Sequence, residues 1–343
     1  MKVTIRDIAE AANVSRGTVD RALHNRPGVS LEVAERIIEI ARQMNYEPDM
    51  TARVLANKRY KKKIGILLCS EGNPFFEDVI LGIEDALREV EPLGIQALIR
   101  KIKGFHLKYQ LEAIEELMKE QISGLVITPV NAPEIAQKIR ELEEQNIPVA
   151  TINTDIISDI EHFLYVGCNY VKSGNVAGGF LGLLSNGQKE HVAVVIGSRM
   201  AMAQVQRLEG ILAVFKKEYP NITVDAVLEN EDDDQESYEM MKKLLKENPD
   251  ITMVCFASAG VKGGLQAIKD ANYRRRIRIV TYDLTEAVQE NLKSGFVLAT
   301  VCQEPYQQGY SGVNALARYL AYQTRPEKRI IETQIFVLTK YNL

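Results

Sequence analysis

Beyond Lys63 the chain repeats one alternation, a short apolar run followed by an amphipathic stretch, and few folds accommodate it. The runs IGILLC (64–69), IQALI (95–99), GLVITP (124–129) and PVATIN (148–153) are short and apolar enough to be buried strands. Between them, apolar residues recur at helical spacing over 75–90, 107–121 and 132–145. This is the signature of parallel βαβ units. A second set starts at HVAVVIG (191–197) and continues through helix 201–218, strand 223–228, helix 235–247, strand 252–257, helix 261–272 and strand 278–283. About 280 residues suffice for two sizeable cores, so the pattern predicts a doubly wound α/β body of two similar lobes. Crossings between lobes are expected at 165–169, at Glu304 and Pro305, and near Pro326. Helix 306–322 would pack back on the first lobe, and 332–341 would return to the second. The first lobe is thus about 64–165 plus 305–328, and the second about 166–304 plus 329–343.

The segment before this body, 4–30, reads TIRDIAEAANVSRGTVDRALHNRPGVS. Thr4 is placed to cap a helix with Asp7 three residues on, and Ile5, Ile8, Ala9 and Ala12 form its apolar stripe. The run 12–15 breaks the period, and the Ser15 hydroxyl caps a second helix carrying Thr18, Val19, Ala22 and Leu23. With the apolar residues turned inward, Arg16, Gly17, Asp20 and Arg21 face outward near its start, where a recognition helix reads bases. Ser30 caps a third helix whose Val33, Ile37, Ile38 and Ala41 close a small three-helix core. Taken alone, the pair of helices is equally a hairpin with no nucleic-acid partner.

The motif D-I-A-x-x-A-x-V-S-x-x-T-V-x-R-x-L, followed by Val29-Ser30 and by Asn45-Tyr46-Glu47-Pro48, resembles the lactose-repressor family of bacterial transcription regulators. That resemblance implies a helix-turn-helix DNA-binding domain over 1–47, a hinge over 48–63, and an effector-binding, dimerising body over 64–343. Carried over, Thr4, Ser15, Thr18 and Asn25 touch phosphates or the turn, while Arg16, Gly17 and Arg21 face base edges. Arginine there can fork onto guanine O6 and N7. Gly17 has no side chain to read with, and His24 stands where the family often has Asn, so the operator is not copied from a relative. In the hinge, Arg53 adds a basic contact and Leu55 would wedge into the minor groove beside its two-fold mate. Residues 52–56 make at most two helical turns, too few for stability alone; a flexible basic tether is the alternative.

Charge is segregated. Residues 1–63 hold 13 Lys and Arg against 8 Asp and Glu, a net of +5, and residues 64–343 hold 29 against 38, a net of −9. A basic head on an acidic body suits a phosphate partner at the head alone.

The body is similar to the ribose-binding branch of the periplasmic-binding-protein fold. Asn73-Pro74-Phe75-Phe76 follows the first strand, Arg207 and Gly210 lie in the first helix of the second lobe, Asp283 ends a strand, and Gln303 lies near a crossing. Ligands of open α/β sheets bind beyond the carboxyl ends of strands. The resemblance therefore implies a sugar or polyol effector, with Phe75 and Phe76 stacking on a ring and Asn73, Asn153, Asp283 and Gln303 meeting hydroxyls. Arg207 is either a ligand contact or a partner of the next turn. Two departures stand out. Asn153-Thr154 replaces Asp-Arg, and Ala259-Gly260 replaces Asn-Asp, so ribose itself is not expected.

Other chemistries have little support. His24, His106, His162 and His191 lack metal-ligand spacing, no catalytic motif appears, and neither cofactor nor metal is expected. GNVAGGFLG places Gly174, Gly178, Gly179 and Gly182 along a helix face, for close packing in preference to a phosphate loop. The acidic run 229–236 reads as a solvated loop, with calcium a remote option. Cys69, Cys168, Cys255 and Cys302 are widely separated and read as reduced core thiols of a cytoplasmic protein. With a polar N-terminus and no long apolar run, neither export nor a membrane span is expected. Two functions follow: an effector-responsive transcription regulator, most simply a repressor of carbohydrate genes acting as a homodimer on a pseudo-palindrome, or a sugar-binding protein whose head docks protein. Within the first, ligand either releases DNA or promotes binding as a corepressor does.

Overall fold

The computed structural model describes residues 3–23, 27–44, 46, 62–69, 71–157, 161–271 and 277–343. Asn25, Arg53 and Leu55, like His24, Pro48 and nearly all of the 48–63 segment, lie outside the described residues. The chain divides into two compact units, Met1–Ala56 and Asn57–Leu343.

The first unit holds α1 (Ile5–Ala12), α2 (Arg16–Leu23) and α3 (Leu31–Gln43). Thr4 and Asp7 close a capping box: the Thr4 amide donates to Asp7 Oδ2 at 2.7 Å, and the Asp7 amide to Thr4 Oγ1 at 3.4 Å. Asn13, at φ 51°, turns the chain out of α1, a left-handed conformation that Asn tolerates. Arg36 on α3 donates to the freed Ala12 carbonyl. Ile8, Ala9, Ala12, Val19, Ala22, Ile37 and Ala41 form the core, with Leu23 and Val33 at its margin. Ile38 does not join it and is exposed, because Val33, Ile37 and Ala41 already set the inward face and Ile38 is about 100° around the helix from Ile37.

The second unit builds two six-stranded sheets. The first contains β1 (Lys62–Cys69), β2 (Ile95–Ile102), β3 (Gly124–Ile127), β4 (Val149–Ile152), β5 (Leu164–Gly167) and β11 (Ile330–Glu332), in the order β11-β5-β4-β3-β1-β2, all parallel. The second contains β6 (Glu190–Ile196), β7 (Ile222–Glu229), β8 (Met253–Phe256), β9 (Arg278–Tyr282), β10 (Ala299–Cys302) and β12 (Phe336–Leu338), ordered β12-β10-β9-β8-β6-β7, with only β12 antiparallel. Helices α4 (Phe75–Val90), α5 (Leu107–Lys119) and α6 (Pro133–Glu144) serve the first sheet. Helices α7 (Tyr170–Ser185), α8 (Met202–Glu218), α9 (Asp234–Glu247), α10 (Val261–Asp270) and α11 (Glu286–Lys293) serve the second, and α12 (Pro305–Tyr322) returns against α4. Strand alternation explains the layering. Ile64, Ile66 and Leu68 of β1 face the α4/α12 side, while Leu67 and Cys69 face α5 and α6.

Two sequence expectations shift. Residues 165–167 belong to β5, so the first crossing falls just after it. The third crossing lies at 333–335, beyond Pro326, because β11 first completes the open edge of β5: the Tyr165 amide donates to the Arg329 carbonyl at 2.8 Å, and the Thr333 amide to the Gly167 carbonyl at 3.0 Å. Residues 166–167 and 330–332 therefore belong with the first sheet.

The glycine run of α7 is a packing device. A Cβ on Gly174 would sit 2.2 Å from the Arg207 carbonyl oxygen of α8, and one on Gly210 would sit 2.3 Å from that of Val171. Gly179 points into open space and lies off the packed face formed by Gly174, Gly178 and Gly182.

Candidate functional site

In the first unit, α2 begins where the Ser15 hydroxyl accepts the Thr18 amide at 3.1 Å; the two hydroxyls lie 2.9 Å apart. Val19 and Ala22 are buried, and this rotation leaves Arg16, Gly17 and Arg21 exposed. Arg21 Nε donates to the Gly17 carbonyl at 3.1 Å, which directs the side chain along the helix surface toward its start. Thr4 is occupied by its capping box. A pair of exposed arginines on a short second helix, Arg16 in its first turn and Arg21 in its last, can reach base edges and phosphates.

In the second unit, the loops after β1, β4, β6, β7, β8, β9 and β10 converge, as the carboxyl ends of two parallel sheets require. Four of the seven expected effector residues, Asn153, Arg207, Asp283 and Gln303, take part in one connected polar region. Asn153 donates to Tyr170 Oη at 3.2 Å and to Gln308 Oε1 at 3.3 Å; Gln308 donates to the Gln303 carbonyl at 2.9 Å; Gln303 donates to both oxygens of Asp283 at 3.0 Å. Arg207 is buried with its guanidinium 4.2 Å from the Tyr282 ring centre and 5.1 Å from that of Tyr170. Its Nη1 donates to the Ala257 carbonyl at 2.8 Å, and its Nε finds no acceptor among the described residues. Asn73 steadies the start of α4 by accepting the Phe75 amide at 3.0 Å, and its Nδ2 lies 3.4 Å from Asp232 of the other lobe. Phe75 meets Phe76 edge-on, centres 5.2 Å apart. Phe75 borders the cleft, whereas Phe76 is packed in the first-lobe core.

Asp232, Gln204, Tyr170 and Gln308 were not singled out in the sequence. The acidic run 229–236 is, as expected, a largely exposed loop that leads into a helix at Asp234, but two of its residues depart from that reading: Asn230 is fully buried, and Asp232 accepts the Ala259 amide at 3.0 Å and Gln204 Nε2 at 3.2 Å. Gln204 in turn accepts the Gly197 and Ser198 amides after β6. Asn153, Asp232 and Asp283 all have left-handed φ, at 63°, 57° and 61°. Asn and Asp are the side chains that adopt this conformation most readily, and such strain concentrates at binding sites. The Asn-x-Asp spacing at 230–232 carried this signal, masked by the surrounding acids.

Burial pushes the Asp283 carboxyl up to about 6, against the opposing pull of Arg207 and of the Gln303 hydrogen bond. Asp232 is likewise raised by burial. Burial also holds the Cys69, Cys168, Cys255 and Cys302 thiols at about 12, so they are not nucleophiles at neutral pH. The lobes touch across the cleft: Lys103 pairs with Asp233 at 2.9 Å, the Asn131 amide donates to the Met200 carbonyl at 2.9 Å, and the Ala203 amide donates to Thr154 Oγ1 at 3.0 Å. Between the start of α4 and the loops after β8, β9 and β10 lies a cavity of about 540 Å³, bordered by Phe75 and Asp283. Its walls are aromatic and carboxylate, from Phe75, Phe336, Glu77, Asp78 and Asp283, a concave surface of the kind that holds a small polar molecule; of the expected effector residues it takes in Phe75 and Asp283, whereas Asn73, Phe76, Asn153, Arg207 and Gln303 lie outside its lining. Among the described residues, no helix is long and apolar enough to cross a membrane.

Comparison with known proteins agrees with both halves. Residues 4–49 match the family of bacterial regulatory proteins, lacI family, and residues 64–324 match the periplasmic binding protein domain. The chain is 26% identical over 272 residues to the probable HTH-type transcriptional repressor ExuR of Bacillus subtilis, covering 78% of this chain and 76% of that protein. It is 24% identical over 323 residues to catabolite control protein A of Staphylococcus epidermidis, covering 93% of each. Its fold is that of GanP, a glucose-galactose binding protein from Geobacillus stearothermophilus, with a TM-score of 0.74, 23% identity, and coverage of 82% of this chain and 98% of that one. A helix-turn-helix head joined to this body by one chain is the architecture of a transcriptional regulator, and the chain belongs to the periplasmic binding protein domain family over its body and carries a head domain of the lacI family of bacterial regulatory proteins.

Proposed function

We propose that the protein is a cytoplasmic repressor that binds a pseudo-palindromic operator as a homodimer and changes its DNA affinity when a sugar or polyol occupies the cleft. The observation that carries this reading is the coexistence, in one chain, of an exposed arginine pair on α2 and a cleft walled by carboxylates and the Phe75 ring, beside which Asn73 of one lobe lies 3.4 Å from Asp232 of the other. In the head, Arg16, Gly17 and Arg21 read bases, Thr4, Ser15, Thr18 and Asn25 hold the backbone and the turn, and Arg53 and Leu55 act in the hinge. In the cleft, Asn73, Asn153, Arg207, Asp283 and Gln303 meet ligand oxygens, Phe75 packs against the ring, and Phe76 supports Phe75 from behind. Relatives of the body include one named for glucose and galactose, which favours neutral sugars as first probes. The coupling needed between cleft and operator is about 1–3 kcal/mol, the ordinary range for two linked sites.

Selection of duplexes from a random pool, followed by anisotropy titration with and without a panel of sugars, tests this. A palindromic consensus bound in a salt-sensitive manner, and weakened by one sugar, is the expected result. Absence of any salt-sensitive duplex binding would favour a head that docks protein. Sugar-enhanced affinity would make the ligand a corepressor.

A further inference from the structure

The mouth of the interlobe cavity has an unusual charge balance. Its wall carries the carboxylates of Glu77 and Asp78 from the first turn of α4, Asp234 from α9, Asp283 after β9 and Glu286 from α11, against the single ammonium of Lys262. The helix N-termini opening onto the cavity offset part of this, at roughly half a positive charge each. Asp234 is partly satisfied by the Gly263 amide at 3.1 Å. Arg207 lies outside this lining and is engaged by two tyrosine rings, the Ala257 carbonyl and the field of Asp283. Its Nε, buried and without an acceptor among the described residues, is a single free donor. The charge of Asp78 reaches Asp283 across the cleft and helps to raise it.

We propose that this cavity is a charge filter that admits uncharged or amine-bearing polyols and rejects their anionic counterparts, the uronic acids and phosphorylated sugars. The inference rests on the cleft being the effector site. A cleft lined by one sign of charge, with low-dielectric walls, focuses its field on whatever enters, and the field of these carboxylates repels a carboxylate or phosphate while tolerating hydroxyls. Because Glu77, Asp78 and Glu286 are exposed, the discrimination weakens as salt screens them.

Calorimetric titration of the full chain with matched sets tests the filter: galactose, galactosamine, galacturonate and galactose 6-phosphate, and the equivalent glucose set. The expected result is that a hexose or its amine binds and the matched acid and phosphate bind at least about tenfold more weakly at low ionic strength, with the gap narrowing at high salt. The double variant Glu77→Gln, Asp78→Asn is expected to narrow the same gap. A uronate or phosphate that binds as well as its neutral partner, or a gap unchanged in the double variant, overturns the filter and leaves the sugar reading standing. Binding by no member of either set removes the sugar reading, and the filter with it.

Discussion

Arg21 ties itself to its own helix with one nitrogen and leaves the rest of its guanidinium exposed, so its removal costs the fold little and the DNA contact much. Arg21→Ala is expected to weaken operator binding by about 1–3 kcal/mol, roughly 5- to 150-fold, and to relax preference at one base pair, measured by anisotropy against single-base operator variants. Asp283 gives a second residue-scale expectation. Its folded-state value of about 6 lies above the ordinary 3.8, so the folded protein holds this proton more tightly than the unfolded chain. The penalty of ionising it is absent below the lower value, grows as pH rises between the two, and is constant above. Urea denaturation across that window should show the parent losing stability relative to Asp283→Asn as pH rises; parallel curves would exclude the assignment. Arg21 and Asp232 differed in legibility. Arg21 sits in a local motif, visible as spacing, whereas Asp232 acquires a partner in Ala259 only when β7 and β8 have docked on the two edges of β6.

At the scale of elements, long periodic helices and fully buried strands were readable almost to their ends: α4 was expected over 75–90 and is Phe75–Val90. β5 and β10 were not read as strands although β3, β4 and β8 are equally short; β5 contains the half-buried Tyr165, and one of its two neighbours, β11, arrives some 160 residues later. The α7/α8 contact was half legible, since small residues on a face announce close packing but not which of them touch. Gly174→Ala is expected to destabilise the body by about 1–3 kcal/mol or more, because the new methyl meets the Arg207 carbonyl and the backbone must give way. Gly179→Ala, five residues on in the same helix and facing open space, is expected to stabilise it by about 0.5–1 kcal/mol. Denaturant midpoints for the pair measure both, and equal effects would mean the helix approach is misassigned.

For the whole molecule, the dominant asymmetry is electrostatic, a head region of +5 attached to a body of −9. Binding carried by phosphate contacts falls steeply with salt, by roughly 10³-fold between 50 and 200 mM for about six contacts, and a titration of operator affinity against salt reads that slope directly. A nearly flat slope would remove the head from the DNA. The body's own organisation has a different consequence. Its three crossings are joined to one another: Cys168 of the first contacts Gln303 of the second at 3.7 Å, and Gln308 bridges that residue's carbonyl to Thr333 of the third at 3.4 Å. Threads bound together in this way cannot be displaced one at a time without breaking these contacts, so a rearrangement of one crossing is felt by all three.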